Sequence, residues 1–158
     1  CDTPFRSLRP ACLALLATTT PALADGRMSP VTDALTRKEC GTCHMAFQPG
    51  FLPARSWQKM MGELSNHFGE DASLPADKTA AISAYLQANA ADHTSNRMAG
   101  KFLRMVKADG APQRITENPY FLKEHRFPDS VWKKPEIVTK SNCIACHKTA
   151  DQGWYEDD

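Results

Sequence analysis

Several things are scarce in this 158-residue sequence, and each scarcity excludes something. No apolar run is long enough to cross a bilayer once the N-terminal segment is set aside, so no stable membrane span is expected. No strict apolar-polar alternation is present, so a sheet is not expected. Glycine (8) is outnumbered by proline (11), which favours short segments joined by stiff turns. Charge of one sign is also lacking. Outside residues 1–24 there are 17 basic and 17 acidic residues, after Arg6, Arg9 and Asp2 are taken from totals of 19 and 18. A formally neutral body is a poor partner for nucleic acid.

The first 24 residues read as an export signal. Arg6 and Arg9 form a basic start, Ala11 to Thr20 a short apolar core, and Ala22-Leu23-Ala24 a small-x-small cleavage pattern. Removing this segment takes Cys1 and Cys12 with it and leaves four cysteines, Cys40, Cys43, Cys143 and Cys146. No spare thiol remains.

All four belong to one kind of motif. Cys40-Gly41-Thr42-Cys43-His44 and Cys143-Ile144-Ala145-Cys146-His147 are both CxxCH, which in an exported chain reads as c-type haem attachment. Two thiols at this spacing reach the two vinyl groups of one porphyrin, and the next residue sets an imidazole under the iron. The competing chemistries fit less well. A four-cysteine zinc site would have its pairs closer together than motifs whose histidines lie 103 residues apart. A redox CxxC does not need the histidine, and a disulfide across two residues makes a strained loop. The expectation is two covalently bound haem c groups. Gly50 and Gly153 each lie six residues after a motif histidine, followed by Phe51 and Trp154, a weak repeat equally explained by helix capping.

The expected fold is mainly α, with a haem module at residues 25–92 and a second, less regular one at 93–158. Helices are expected over 31–46, carrying the first motif, over 55–68, 76–90 and 96–106, in a short segment from Pro119 to before Pro128, and over 135–147, carrying the second motif. Thr116 or Asn118 would cap the short segment. The acidic end, Glu156-Asp157-Asp158, would be solvated and frayed.

His44 and His147 are the expected proximal ligands. For the opposite side of the first iron, His67 is favoured because it extends the apolar stripe of Trp57, Met60 and Leu64; Met60 and Met61 are the alternatives. Only eleven residues follow His147, so the second distal ligand must come from upstream. His125, among Tyr120, Phe121, Leu122 and Phe127, is favoured over His93, which sits in a polar junction. Arg55, Arg97, Arg104 and Arg114 are candidates to pair with haem propionates, or are ordinary surface charges.

With these residues in place, the chain resembles the bacterial dihaem cytochrome c family, DHC. The resemblance runs through Cys40 to Trp57, His67 to Ala72, Arg114 to Glu117, Pro119 to Phe121 with His125, and Cys143 to Gly153. It implies a cytochrome c-like N-terminal domain and a periplasmic electron carrier with two low-potential, bis-histidine haems, paired His44 with His67 and His147 with His125. It also implies as partners a small high-spin c-type haem protein, SHP, and a membrane b-type cytochrome, and it implies no catalysis. The contrary expectation is a dihaem peroxidase or ligand-binding haem enzyme with one open iron, which would need acid-base groups beside that iron.

Overall fold

The computed structural model describes residues 26–156. The expected export segment lies outside them. Among the described residues there is no sheet, only isolated bridges, and the fold is helical. Its helices are α1 (Ala34–Cys40), α2 (Ala54–Gly62), α3 (Ala76–Ala88), α4 (Arg97–Arg104), α5 (Pro119–Glu124) and α6 (Asp129–Trp132), with short 3₁₀ turns between them.

Local chemistry sets most of the starts. Asp33 accepts from the Thr36 amide at 2.7 Å and begins α1, Asn96 accepts from Ala99 at 3.0 Å and begins α4, and Asn118 accepts from Tyr120 at 2.8 Å and begins α5. Each satisfies an amide that a helix start leaves unpaired. At α2 the cap comes from far away. Asp92 accepts from the Ala54 amide at 2.8 Å across 38 residues, and its second oxygen lies 3.8 Å from Arg55.

Helices α2 and α3 pack on each other, and α4 packs against the 3₁₀ turns Pro49–Phe51 and Ala91–His93 and against α5. The core joins Phe51, Leu52, Trp57 and Met61 to Ile82 and Leu86, and then to Ala99, Phe102 and Phe121. It therefore draws on both sides of residue 92. Trp57 is held in it by an indole bond to the Pro49 carbonyl at 2.8 Å.

Several expected elements differ. Helix α1 stops at Cys40, because Gly41 closes the last turn on Arg37, so the rest of the first motif lies in a turn. The helix expected over 55–68 ends at Gly62 and gives way to a 3₁₀ turn, Leu64–Asn66, after which His67 leaves the helical region. The helix expected over 135–147 does not form. Ile137-Val138-Thr139 is a β-branched run with poor helix propensity, Val138 takes a positive φ of 63°, and the second motif sits on a 3₁₀ turn, Cys143–Ala145.

The ends of the described chain are clasped together. Met28 donates to Gly153 at 2.8 Å and Tyr155 to Gly26 at 3.0 Å, while Arg27 lies over the Trp154 ring at 4.4 Å. Trp154 and Tyr155 are thus tied to the start of the described chain. Both glycines of the weak repeat meet at Met28. A Cβ on Gly50 would lie 2.6 Å from its sulfur, and one on Gly153 would lie 2.1 Å from its carbonyl oxygen.

Gly153 also has φ +86°, where a side chain is strained. Gly153→Ala should cost about 2 kcal/mol or more and lower the urea midpoint. Gly62→Ala, with nothing within 4 Å of the added carbon, should leave the midpoint unchanged or slightly raised. Equal midpoints for Gly153→Ala and the parent protein would refute the clasp.

Candidate haem centres

The first motif is presented on the turn after α1. Cys40 is half-buried while Cys43 and His44 are exposed. Burial, and then Glu39 beside it, push the Cys40 thiol above its ordinary value. The His44 ring faces that of His67, with centroids 6.1 Å apart and planes inclined by 25°. His67 reaches this position through backbone geometry rather than through a helix face. Its amide bonds Glu70 at 2.7 Å, and Phe68 takes a positive φ of 57° in the tight reversal.

The second motif lies on the wall of a cavity of about 430 Å³. Cys143, Cys146, His147 and His125 all line it, with Phe102, Tyr120, Phe121, Phe127, Trp132 and Tyr155. The rings of His125 and His147 stand 6.1 Å apart, with planes inclined by 81°. Burial pushes the Cys143 thiol up to about 11, against a smaller opposing effect of backbone hydrogen bonding.

A ring separation of 6.1 Å leaves room for a metal ion between two imidazoles. Rings in direct stacking contact lie much closer, as Phe121 and His125 do at 3.9 Å and 11°. An imidazole nitrogen sits about 2 Å from a bound metal and about 1.2 Å from its own ring centre, so two imidazoles on opposite sides of one ion have centroids about 6 Å apart. Both pairs leave that gap.

The ring nitrogens are prepared for it. Nδ1 of His44 donates to the Met45 carbonyl at 2.7 Å, and Nδ1 of His125 to the Phe121 carbonyl at 3.0 Å. A carbonyl only accepts, so the proton is on Nδ1 and the Nε2 lone pair is free for a metal. Burial first, and then His44 and Arg114 nearby, lower the His67 pKa. Cysteine pairs of vinyl spacing and facing imidazoles fit haem c at both centres, and at the second a cavity adds room for it.

The other candidates lie elsewhere. His93 is exposed and donates to the Gln87 carbonyl at 2.7 Å, where it closes the end of α3. Met61 is buried in the core and Met60 packs against it. Arg55 is spent on the Gly110 and Lys107 carbonyls at 2.6 and 3.1 Å, so it latches the loop after α4. Arg114 lies 4.0 Å over the Phe68 ring, next to His67.

Two residues of consequence were missed. Gln48, fully buried, donates to the Ala150 carbonyl at 2.7 Å and accepts from the Tyr155 hydroxyl at 2.5 Å. Tyr155 in turn packs edge-on against His147, with centroids 5.6 Å apart. Together they join the loop after the first motif to the segment after the second. The available signal was a lone polar side chain inside Phe47-Gln48-Pro49-Gly50-Phe51-Leu52.

Comparison with known proteins agrees with this geometry. The dihaem cytochrome c family profile matches residues 36–155. A diheme cytochrome c from Rhodobacter sphaeroides is 43% identical with a TM-score of 0.72, over 80% of this chain and 99% of that one. A crystal structure of DHC purified from the same organism is 42% identical with a TM-score of 0.60, over 79% and 98%. A diheme cytochrome from Shewanella baltica is 34% identical with a TM-score of 0.64, over 78% and 86%. No curated protein matches.

Denatured protein should keep its colour, and its mass should exceed that of the processed chain by two haems. Replacing Cys143 and Cys146 together by serine should remove one haem of that added mass and leave the other. A bare-chain mass for the parent protein would exclude covalent attachment.

Proposed function

The chain belongs to the dihaem cytochrome c family, and from that premise we propose that it is a periplasmic electron carrier whose two irons are both bis-histidine ligated, His44 with His67 and His147 with His125. It is a c-type cytochrome of electron transport carrying two haems c. The observation that carries the finer reading is the pair of ring gaps, 6.1 Å at each centre. When bound, each haem supplies a one-electron couple between ferric and ferrous iron.

The residues determine how that couple is used. Two imidazoles per centre leave no axial position for a substrate, so exchange with a partner is outer-sphere. The second histidine holds the potential low, because a methionine thioether would favour reduced iron. Phe121, stacked on His125, and the Phe121 carbonyl fix the angle at which that imidazole approaches. The cysteine thiols anchor each porphyrin covalently, so neither half needs a large core to retain it. We assign the two haem modules to residues 25–92 and 93–158.

Export through cleavage after Ala24 would deliver the protein to the compartment where c-type haem is attached. Among the described residues no helix is long and apolar enough to cross a membrane. The partners are other haem proteins, by resemblance SHP and a membrane b-type cytochrome.

His125→Ala should leave one iron high-spin and able to bind carbon monoxide when reduced, at one equivalent per chain. His93→Ala should leave both low-spin spectra unchanged. Stoichiometric carbon monoxide binding by the parent protein would instead support an iron open to ligands, and reversed behaviour of the two variants would move the second distal ligand to His93.

A further inference from the structure

The two centres are built differently, and the differences bear on which holds an electron more tightly. Resting on the bis-histidine assignment above, we infer that the His125–His147 pair holds the higher-potential centre, so that the single electron of half-reduced protein resides at the second site. Two independent observations carry this.

The first is enclosure. The second centre sits in a cavity walled by aromatic rings, with Phe121 buried at its back. The first lies open, with Cys43, His44, Phe68, Glu70 and Asp71 all exposed. Ferric haem carries one more positive charge than ferrous haem. An apolar wall disfavours that extra charge, and water favours it, so enclosure raises the potential.

The second is the ring angle. In low-spin ferric iron one dπ orbital is half-filled. Two imidazoles with nearly parallel planes both donate into that one orbital and stabilise the ferric state. Perpendicular planes divide their donation between two orbitals and forgo that gain. Ferrous iron has all three orbitals filled and has no such preference. The planes are 25° apart at the first centre and 81° apart at the second. The second centre therefore loses ferric stabilisation that the first retains.

Charge does not reverse the order. Lys101 and Lys140 in the second cavity wall are matched there by Glu124 and Glu156. At the first centre Arg114 is matched by Glu117, 3.5 Å away, and by the exposed Glu70 and Asp71. The groups named at the second centre cancel, while those at the first sum to a negative charge, which favours ferric iron there and so acts with enclosure and ring angle, not against them.

The ring angles also label the centres. Near-parallel imidazoles give a rhombic low-spin ferric signal in electron paramagnetic resonance. Near-perpendicular ones give a strongly anisotropic signal dominated by one feature at high g. Oxidised holoprotein titrated with dithionite and frozen at each potential should lose the anisotropic signal first and the rhombic one last. Loss in the opposite order, or together, would overturn the inference, and so would two signals of one type. Phe127 stands half-exposed in the second cavity wall, with 50% of its surface open. Phe127→Glu should shift the midpoint of the anisotropic signal to lower potential and leave the rhombic one in place. No shift, or a shift of the rhombic signal alone, would remove the enclosure argument. A high-spin signal in the oxidised parent protein would fail the ligation assignment itself, before any titration order is read.

Discussion

One buried carboxamide holds the two halves of this cytochrome in register. Gln48 lies four residues after His44, and the carbonyl it bonds, on Ala150, lies three residues after His147. The same side chain accepts from Tyr155, whose ring leans on His147. A fully buried amide must satisfy both its donor and its acceptor or forfeit its hydration, so both partners must be in place for the fold to close. The two motif histidines, 103 residues apart in sequence, are thereby placed relative to each other by a side chain that touches neither of them.

Around that tie the packed helices and the residues that face the two centres are separate parts of the chain. Helices α2, α3 and α4 contribute none of the four histidines at the two sites. They bury Trp57, Ile82, Leu86 and Phe102 and form a stiff floor. The histidines come instead from turns and helix ends, where one residue can be aimed without bending an element. His67 follows a 3₁₀ turn and His125 caps α5. Both are steered by backbone: a tight reversal at Phe68 and Gly69, and a carbonyl on Phe121. Haem attachment then replaces much of the core that such short elements cannot supply.

The contrast between the centres follows from how much chain surrounds each. The first motif has the helical floor on one side and the exposed Phe68, Glu70 and Asp71 nearby. The second is wrapped by α5, α6 and the returning tail, which with Phe51 and Phe102 bring seven aromatic side chains around one cavity. The same CxxCH chemistry is thus set in two dielectric surroundings and with two imidazole geometries. A carrier with two inequivalent sites gains a defined internal order, which two copies of one site would lack.

The residues by themselves determined the covalent chemistry, because a CxxCH motif is complete within five consecutive positions. Helical class and the core face of α2 were legible for a similar reason, since periodicity is local. The helix expected over 135–147 failed where a β-branched run with Val138 at positive φ overrode the position of the motif, and His67 proved to lie past the end of its helix once Gly62 stopped it. The pairing of imidazoles across each gap, their 25° and 81° inclinations, the closing of the ends on Met28 and the burial of Gln48 were decided only in the tertiary structure. Each depends on groups tens of residues apart, and no local propensity specifies where such groups meet.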